Sequence, residues 1–219
     1  MTVTIENLVT SGTFALDGGT WDVDNNVWIV GNDDECVIID CPHDAAAIIS
    51  QVRGRKVLAI LLTHAHNDHI GAAREVAGAV GAPIVLNPED LVLWKQVYPD
   101  SEPDRHHAHG DVFEVGGATL RAIHTPGHSP GSTCFYFESE GTVFTGDTLF
   151  NGGPGATGRS YSHYPTILAS IRERLLTLPP ETVVRTGHGD DTTIGAERET
   201  LAPLADSVEF AESVQSASG

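Results

Sequence analysis

The chain has 219 residues, 40% of them hydrophobic, enough to bury a real core in one large domain. Its 30 Asp and Glu against 12 Lys and Arg give a formal charge of -18 at pH 7, a surface that repels phosphate backbones and anionic membranes. No nucleic-acid or membrane partner is therefore expected.

Met1 to Thr10 has no basic segment and no long apolar stretch, so no signal peptide is read there. Val27 to Val30 and Val37 to Ile39 are short apolar runs across a turn-like Gly31-Asn32-Asp33-Asp34, which predicts a hairpin. A short amphipathic helix follows over 44–52, then a continuous apolar strand over 57–62, far too short to span a bilayer. An Ala-rich helix is read over 71–80, a strand over 83–86 and a helix from Pro88 to about Gln96. This alternation is the pattern of an α/β layer fold. Residues 98–110 read as a polar loop. Strands are predicted at 111–115, 118–123, 133–138 and 142–145, a glycine-rich loop at 152–158 and a helix at 165–176. A last strand is read at 181–185 and a short helix near Ala196. A single domain is expected over 1–206, with a frayed tail over 207–219. Cys36, Cys41 and Cys134 are an odd number without C-x-x-C, and read as reduced, buried thiols of a cytoplasmic protein.

Chemistry concentrates at Thr63-His64-Ala65-His66-Asn67-Asp68-His69, directly after the apolar strand. Residues two apart on an extended segment face one side, so His64 and His66 can grip one ion together. Asp68 and His69 fall where the chain turns into a helix, and can diverge towards a second ion. The run stands at the C-terminal edge of a strand, where α/β folds place ligands. Three further candidates follow a glycine in loops between strands: His128, Asp147 and His188. Five imidazoles and two carboxylates suit borderline divalent metals such as zinc, iron or manganese.

His64, His66, Asp68, His69, His128, Asp147 and His188 resemble, in order and spacing, the metal-ligand set of the metallo-β-lactamase superfamily. The match runs from about Val27 to His188. The segment Phe144-Thr145-Gly146-Asp147-Thr148-Leu149-Phe150 resembles the glyoxalase II (hydroxyacylglutathione hydrolase) branch. The resemblance implies a four-layer αββα sandwich and two divalent ions, zinc above all. His64, His66 and His128 would hold the first ion. Asp68, His69 and His188 would hold the second, and Asp147 would bridge them. It implies a thioester hydrolase in which metal-activated hydroxide attacks the substrate carbonyl and Asp68 serves as proton shuttle. Glyoxalase II proteins usually carry a C-terminal helical region that helps bind glutathione. Only 31 residues follow His188, which moves the expected carrier to another low-molecular-weight thiol, mycothiol among them. The alternative is a mononuclear iron persulfide dioxygenase of the same superfamily. A β-lactamase is less favoured, because many carry a cysteine where Asp147 stands.

Other signals are weaker. Asp40, His43, His106, His107 and His109 read as ordinary core or surface residues, and His124 as ordering the Thr125-Pro126-Gly127 turn. Gly127 to Gly131 matches G-x-S-x-G, but Pro126, Pro130 and a following strand deny it the strand–turn–helix of a nucleophile elbow. Gly153 to Gly158 matches G-x-G-x-x-G without the strand and helix that a nucleotide cradle needs. It reads instead as an active-site wall from which Arg159 or Tyr161 reaches substrate.

Overall fold

The computed structural model describes residues 3–202, so the predicted tail at 207–219 lies outside the described residues. Strands β1 (Thr4–Leu16), β2 (Gly19–Gly31), β3 (Glu35–Ile39), β4 (Lys56–Leu61), β5 (Ile84–Leu86) and β6 (Arg105–His106) form one sheet in chain order. Strands β7 (Val112–Val115), β8 (Ala118–His124), β9 (Thr133–Phe137), β10 (Thr142–Gly146), β13 (Val183–Thr186) and β14 (Thr192–Thr193) form the second, in the order β14-β13-β10-β9-β8-β7. Between β10 and β13 lies a two-stranded ribbon, β11 (Leu149–Phe150) with β12 (Gly153–Pro154). Helices α1 (Ala45–Val52), α2 (Asn67–Ile70), α3 (Ala73–Val80) and α4 (Leu91–Val97) belong to the first half, and α5 (Tyr164–Ser170) to the second. A final helix begins at 194.

Alternation along the strands builds the layers. Trp28, Val30, Val37, Ile39 and Leu61 face Leu120, Ala122, Phe135, Phe137 and Phe144 in a buried core between the sheets. Val27, Ile29, Ile38 and Ile60 point the other way, against Ile48 of α1, Val76 of α3 and Leu93 and Trp94 of α4. On the far side, Cys134, Tyr136, Val143 and Val184 pack on Ile167, Ile171 and Leu175. Both sheets are therefore covered on both faces, giving an αββα sandwich. β4 contributes to two of these cores, as expected of a strand apolar at every position.

The expected β2–β3 hairpin is present, with Trp28 opposite Ile39. Two departures matter. The sequence reading placed no strand before Val27, yet β1 and β2 pair over thirteen residues each, from Thr4↔Gly31 to Leu16↔Gly19. Its outer half exposes one face and only partly covers the other, where Thr10, Gly12, Gly19 and Asn25 interrupt Phe14, Leu16, Trp21 and Val23, so its apolar alternation is weak. The helix predicted to run to 176 is α-helical only to Ser170 and continues as a π-helical turn over Ile171–Leu175. Among the described residues no helix is long and apolar enough to cross a membrane.

Candidate metal centre

The loops at one end of the sandwich carry the candidate donors. β4 ends at Leu61, and His64 and His66 follow at once; α2 then presents Asp68 and His69. The loop between β8 and β9 holds His128. Parallel β10 and β13 end side by side, which brings Asp147 next to His188. Gly146 and Gly127 sit at φ 49° and 134°, conformations that admit glycine most readily. Gly187 has a steric reason instead: a Cβ there would lie 2.3 Å from Asp147 Oδ1 and 2.9 Å from His69 Cε1.

All seven residues of the predicted set converge. His66 Nδ1 lies 3.0 Å from His64 Nε2 and 2.9 Å from His128 Nε2, so three ring nitrogens face one point. His188 Nε2 lies 3.3 Å from His69 Nε2 and 3.3 Å from Asp68 Oδ2, a second group beside the first. Asp147 touches both: Oδ2 is 3.6 Å from His128 Nε2 and 3.4 Å from His188 Nε2, and Oδ1 is 3.2 Å from His69 Nε2. His64 is 1% exposed and His69 0%, so the donors face each other rather than water.

Electrostatics separates the two groups. Burial, reinforced by the neighbouring rings, holds His64 well below the ordinary histidine range, and burial takes His66 down to about 3. These imidazoles keep free lone pairs at neutral pH. At His69 burial opposes the charge, but Asp147, Asp68 and Asp40 outweigh it and hold the ring well above its usual range. His188 goes up to about 10, against burial, through Asp147 and Asp68. Asp147 is held well below the carboxylate range by His188 and His69, although burial opposes this. Buried carboxylates in such a setting demand compensating positive charge.

The donor set fits a divalent cation on a separate ground. His66 Nε2, Asp68 Oδ1 and Asp147 Oδ1 are buried polar atoms without a hydrogen-bond partner. Native proteins rarely leave such atoms unsatisfied, and a cation among the converging donors would account for Asp147 Oδ1, which faces His69 Nε2 at 3.2 Å. The other ring nitrogens of His69, His128 and His188 are already engaged, which fixes orientation and tautomer. His69 Nδ1 meets Asp40 Oδ2 at 2.8 Å, His128 Nδ1 meets the Ala156 carbonyl at 2.8 Å, and His188 Nδ1 meets the Asp24 carbonyl at 2.7 Å.

Sequence reasoning missed several supports. Asp40, read there as an ordinary residue, also accepts the Thr63 N–H and hydroxyl at 2.8 and 2.7 Å, and so orients both ends of the histidine run. Asn25, fully buried on β2, sets Nδ2 3.2 Å from Asp68 Oδ2, while its Oδ1 lies 2.8 Å from His43 Nε2. Asp90, also fully buried, accepts from the Ala65 N–H at 2.9 Å and the Ser129 hydroxyl at 2.8 Å. One carboxylate thereby ties the His64–His66 segment to the His128 loop. No motif marks a lone Asp or Asn whose task is set by long-range contact.

The remaining expectations resolve as follows. Ser129 bonds Asp90 and Ser132, and a strand rather than a helix follows its loop, so it is no nucleophile elbow. The 153–158 glycines cradle no nucleotide: Gly155 packs where a Cβ would lie 1.7 Å from the Asp147 carbonyl, and Ala156 orients His128. His124 Nε2 reaches the Pro130 carbonyl at 2.8 Å, across the loop it was expected to order. His106 and His109 are exposed, but His107 is buried against Phe113 and Phe135. All three cysteines are buried free thiols; burial pushes Cys41 well up and Cys134 up to about 11. Arg159 stacks on Trp21, 3.7 Å from its ring centroid, and Tyr161 is 47% exposed on the same loop.

A family model of the metallo-beta-lactamase superfamily matches residues 20–188. The chain belongs to that superfamily, which includes metallohydrolases and whose fold carries divalent metal ions. The Bacillus subtilis (strain 168) protein called probable metallo-hydrolase YqgX is 36% identical over 182 residues, covering 77% of this chain and 86% of its own. Hydroxyacylglutathione hydrolase GloC of Haemophilus influenzae is 33% identical over 183 residues, covering 76% and 86%. Among solved structures, BLEG-1 B3 metallo-beta-lactamase superposes with a TM-score of 0.74 at 32% identity, over 87% of this chain and 97% of its own. TTHA1623 in a di-iron-bound form gives 0.71 at 33% identity, over 87% and 98%.

Proposed function

We propose that this protein is a binuclear metal-dependent hydrolase that cleaves thioesters of a low-molecular-weight thiol. The observation that carries the binuclear reading is the position of Asp147, whose two carboxylate oxygens reach donors of both groups. His64, His66 and His128 would hold one ion and Asp68, His69 and His188 the other, with Asp147 shared. Zinc is the first candidate on donor chemistry, since imidazole and carboxylate suit it; manganese and iron fit the same donors.

Two ions bound there would supply a water acidic enough to attack at neutral pH and a Lewis acid for the substrate carbonyl. The chain supplies the rest. Asp68 commits Oδ2 to Asn25 and His188 and keeps Oδ1 buried and unpartnered. Oδ1 is therefore the atom to accept the proton of the attacking water. A C–O bond forms, the C–S bond breaks, and the electron pair leaves on sulfur, which takes up a proton as the free thiol. No side-chain nucleophile is required; Ser129 and Cys134 are both buried and occupied. Beside His66 a cavity of about 320 Å³, lined in part by Ala15, Leu16, Leu93 and Val97, leaves room for an apolar substrate group. The thioester class is supported by the similarity to GloC.

The test is elemental analysis of the purified protein beside a panel of thioesters, a β-lactam and a persulfide with an oxygen electrode. Two ions per chain with thioester turnover is the expected result. One iron with oxygen uptake would establish a persulfide dioxygenase instead, and β-lactam turnover alone would place the protein with the similarity to BLEG-1. Asp147→Ala is expected to abolish turnover and lower metal occupancy; wild-type turnover in that variant would refute the bridging role.

A further inference from the structure

The β1–β2 hairpin reaches over the metal centre, and its pairing decides which side chains look inward. Phe14 stands opposite Trp21 and Thr10 opposite Asn25. Period-two alternation then puts Phe14, Trp21 and Asn25 on one face of the ribbon, the face on which Asn25 meets Asp68. Phe14 packs edge-on against His66 with ring centroids 5.2 Å apart, and Phe14 and Trp21 stack at 5.6 Å. Onto this pair the 158–162 loop lowers one cation. The Arg159 guanidinium lies 3.7 Å from the Trp21 centroid and 5.3 Å from that of Phe14.

That guanidinium has planar donors and no acceptor for them: among the described residues no hydrogen bond or ion pair is made by its nitrogens. Asp17, at the hairpin turn, accepts the Ser160 N–H on Oδ2 at 2.9 Å; it lies within electrostatic reach of Arg159 but forms no ion pair with it. The loop backbone is pinned independently, since Ser162 Oγ receives the Gly158 and Arg159 N–H groups at 2.9 and 3.1 Å. A stacked guanidinium keeps its fork free for an oxyanion while the rings fix its plane. In a chain of charge -18 an anionic substrate meets general repulsion, so one preoriented cation beside the site selects strongly for where the anion sits.

We propose that Arg159, held by Trp21 and Phe14, is the receptor for a carboxylate on the substrate, and that the natural thioester carries one on its thiol or its acyl side. This deepens the thioesterase reading and rests on it. A carboxylate fits better than a phosphate: one planar fork matches a monoanion bidentately, while a phosphate ester in so acidic a chain would need more cations. An uncharged thiol carrier would require the acid on the acyl half.

The experiment uses the metal-loaded full chain and two matched substrate pairs. One pair compares S-acetyl N-acetylcysteine with its amide, placing the acid on the thiol. The other compares S-glutaryl with S-pentanoyl N-acetylcysteamine, placing it on the acyl group. We expect kcat/KM to favour the acid about 10- to 100-fold in one pair, the size of a charge-assisted bidentate contact. Arg159→Gln should erase that preference by lowering kcat/KM for the acid member far more than for the neutral one, and Arg159→Lys should restore part of it. Equal rates for acid and neutral members in both pairs overturn the proposal, as does an Arg159→Gln loss of equal fold for acid and neutral. A readout independent of turnover is the Trp21 indole N–H resonance, titrated with N-acetylcysteine and glutarate. It should shift with at least one acid, and in Arg159→Gln it should not respond. An unmoved resonance overturns the proposal even where thioesters are cleaved, and a saturable shift without any thioester turnover keeps the receptor and rejects the thioesterase.

Discussion

Asp40 shows how much a single side chain can decide. With φ at 61° it sits in a strained conformation, and both carboxylate oxygens are consumed by Thr63 and His69. The bond to His69 Nδ1 leaves Nε2 as the donor facing Asp147. Asp40→Ala is therefore expected to cut metal affinity about 10- to 100-fold, the usual cost of losing such a partner, as read by competition with a chromogenic chelator. Unchanged affinity would remove Asp40 from the metal centre. His107 makes a different, pH-dependent contribution. Burial takes it from an unfolded value near 6.5 to about 4, so the unfolded chain binds its proton first as pH falls. The native state thus loses stability between about pH 6.5 and 4, with about 2 kcal/mol of the loss between pH 7 and 5. His107→Phe, a ring among the rings of Phe113 and Phe135, should flatten that slope in urea titrations of the metal-free protein. A slope equal to wild type would show that His107 is not its source.

At the scale of elements, the site is assembled from strand ends and one long ribbon. Strands β4, β10 and β13 end at the same edge of the sandwich and deliver six of the seven candidate donors directly or through α2, all but His128. The ribbon β1–β2 adds Asn25 from a distance of more than forty residues in sequence. Asn25→Ala removes the amide between Asp68 and His43, so the second group should lose affinity while the trio His64, His66 and His128 keeps its ion. Stepwise metal titration checks this: the expected result is one tight and one weakened site, and two sites of wild-type affinity would contradict it. The 152–158 loop belongs to the same scale. It looked like an open wall in the sequence, yet it supplies the Ala156 carbonyl to His128 and the bare backbone under Asp147.

At the scale of the whole molecule, two covered sheets make a frame whose loops bury carboxylates and histidines against one another. Without cations, Asp68 and Asp147 would share the Nε2 atoms of His69 and His188 as their positive neighbours. Dialysis against a chelator is expected to bring turnover to background and lower the melting temperature, and zinc, manganese or iron should restore both. Hydrolysis that survives verified metal removal would mean a metal-free mechanism.

The H-x-H-x-D-H run and an α/β layer pattern were legible in the amino-acid sequence because their signals are local; the αββα sandwich and the grouping of His128, Asp147 and His188 with that run came from the resemblance to a family. H-x-H-x-D-H needs only strand and helix geometry to be read, and a strand buried on both faces announces itself as a continuous apolar run. Asp40, Asn25 and Asp90 were not legible, nor was the stacking of Arg159 on Trp21. Their roles depend on partners 23 to 138 positions away, brought together by register and packing. The outer half of the β1–β2 ribbon was silent for a related reason: one face is exposed and the other carries Thr10, Gly12, Gly19 and Asn25 among its apolar residues, so the alternation is faint and pairing with the partner strand makes it a strand. Local chemistry thus fixed which atoms could bind a cation, and tertiary structure alone decided how they are held and what cation waits beside them.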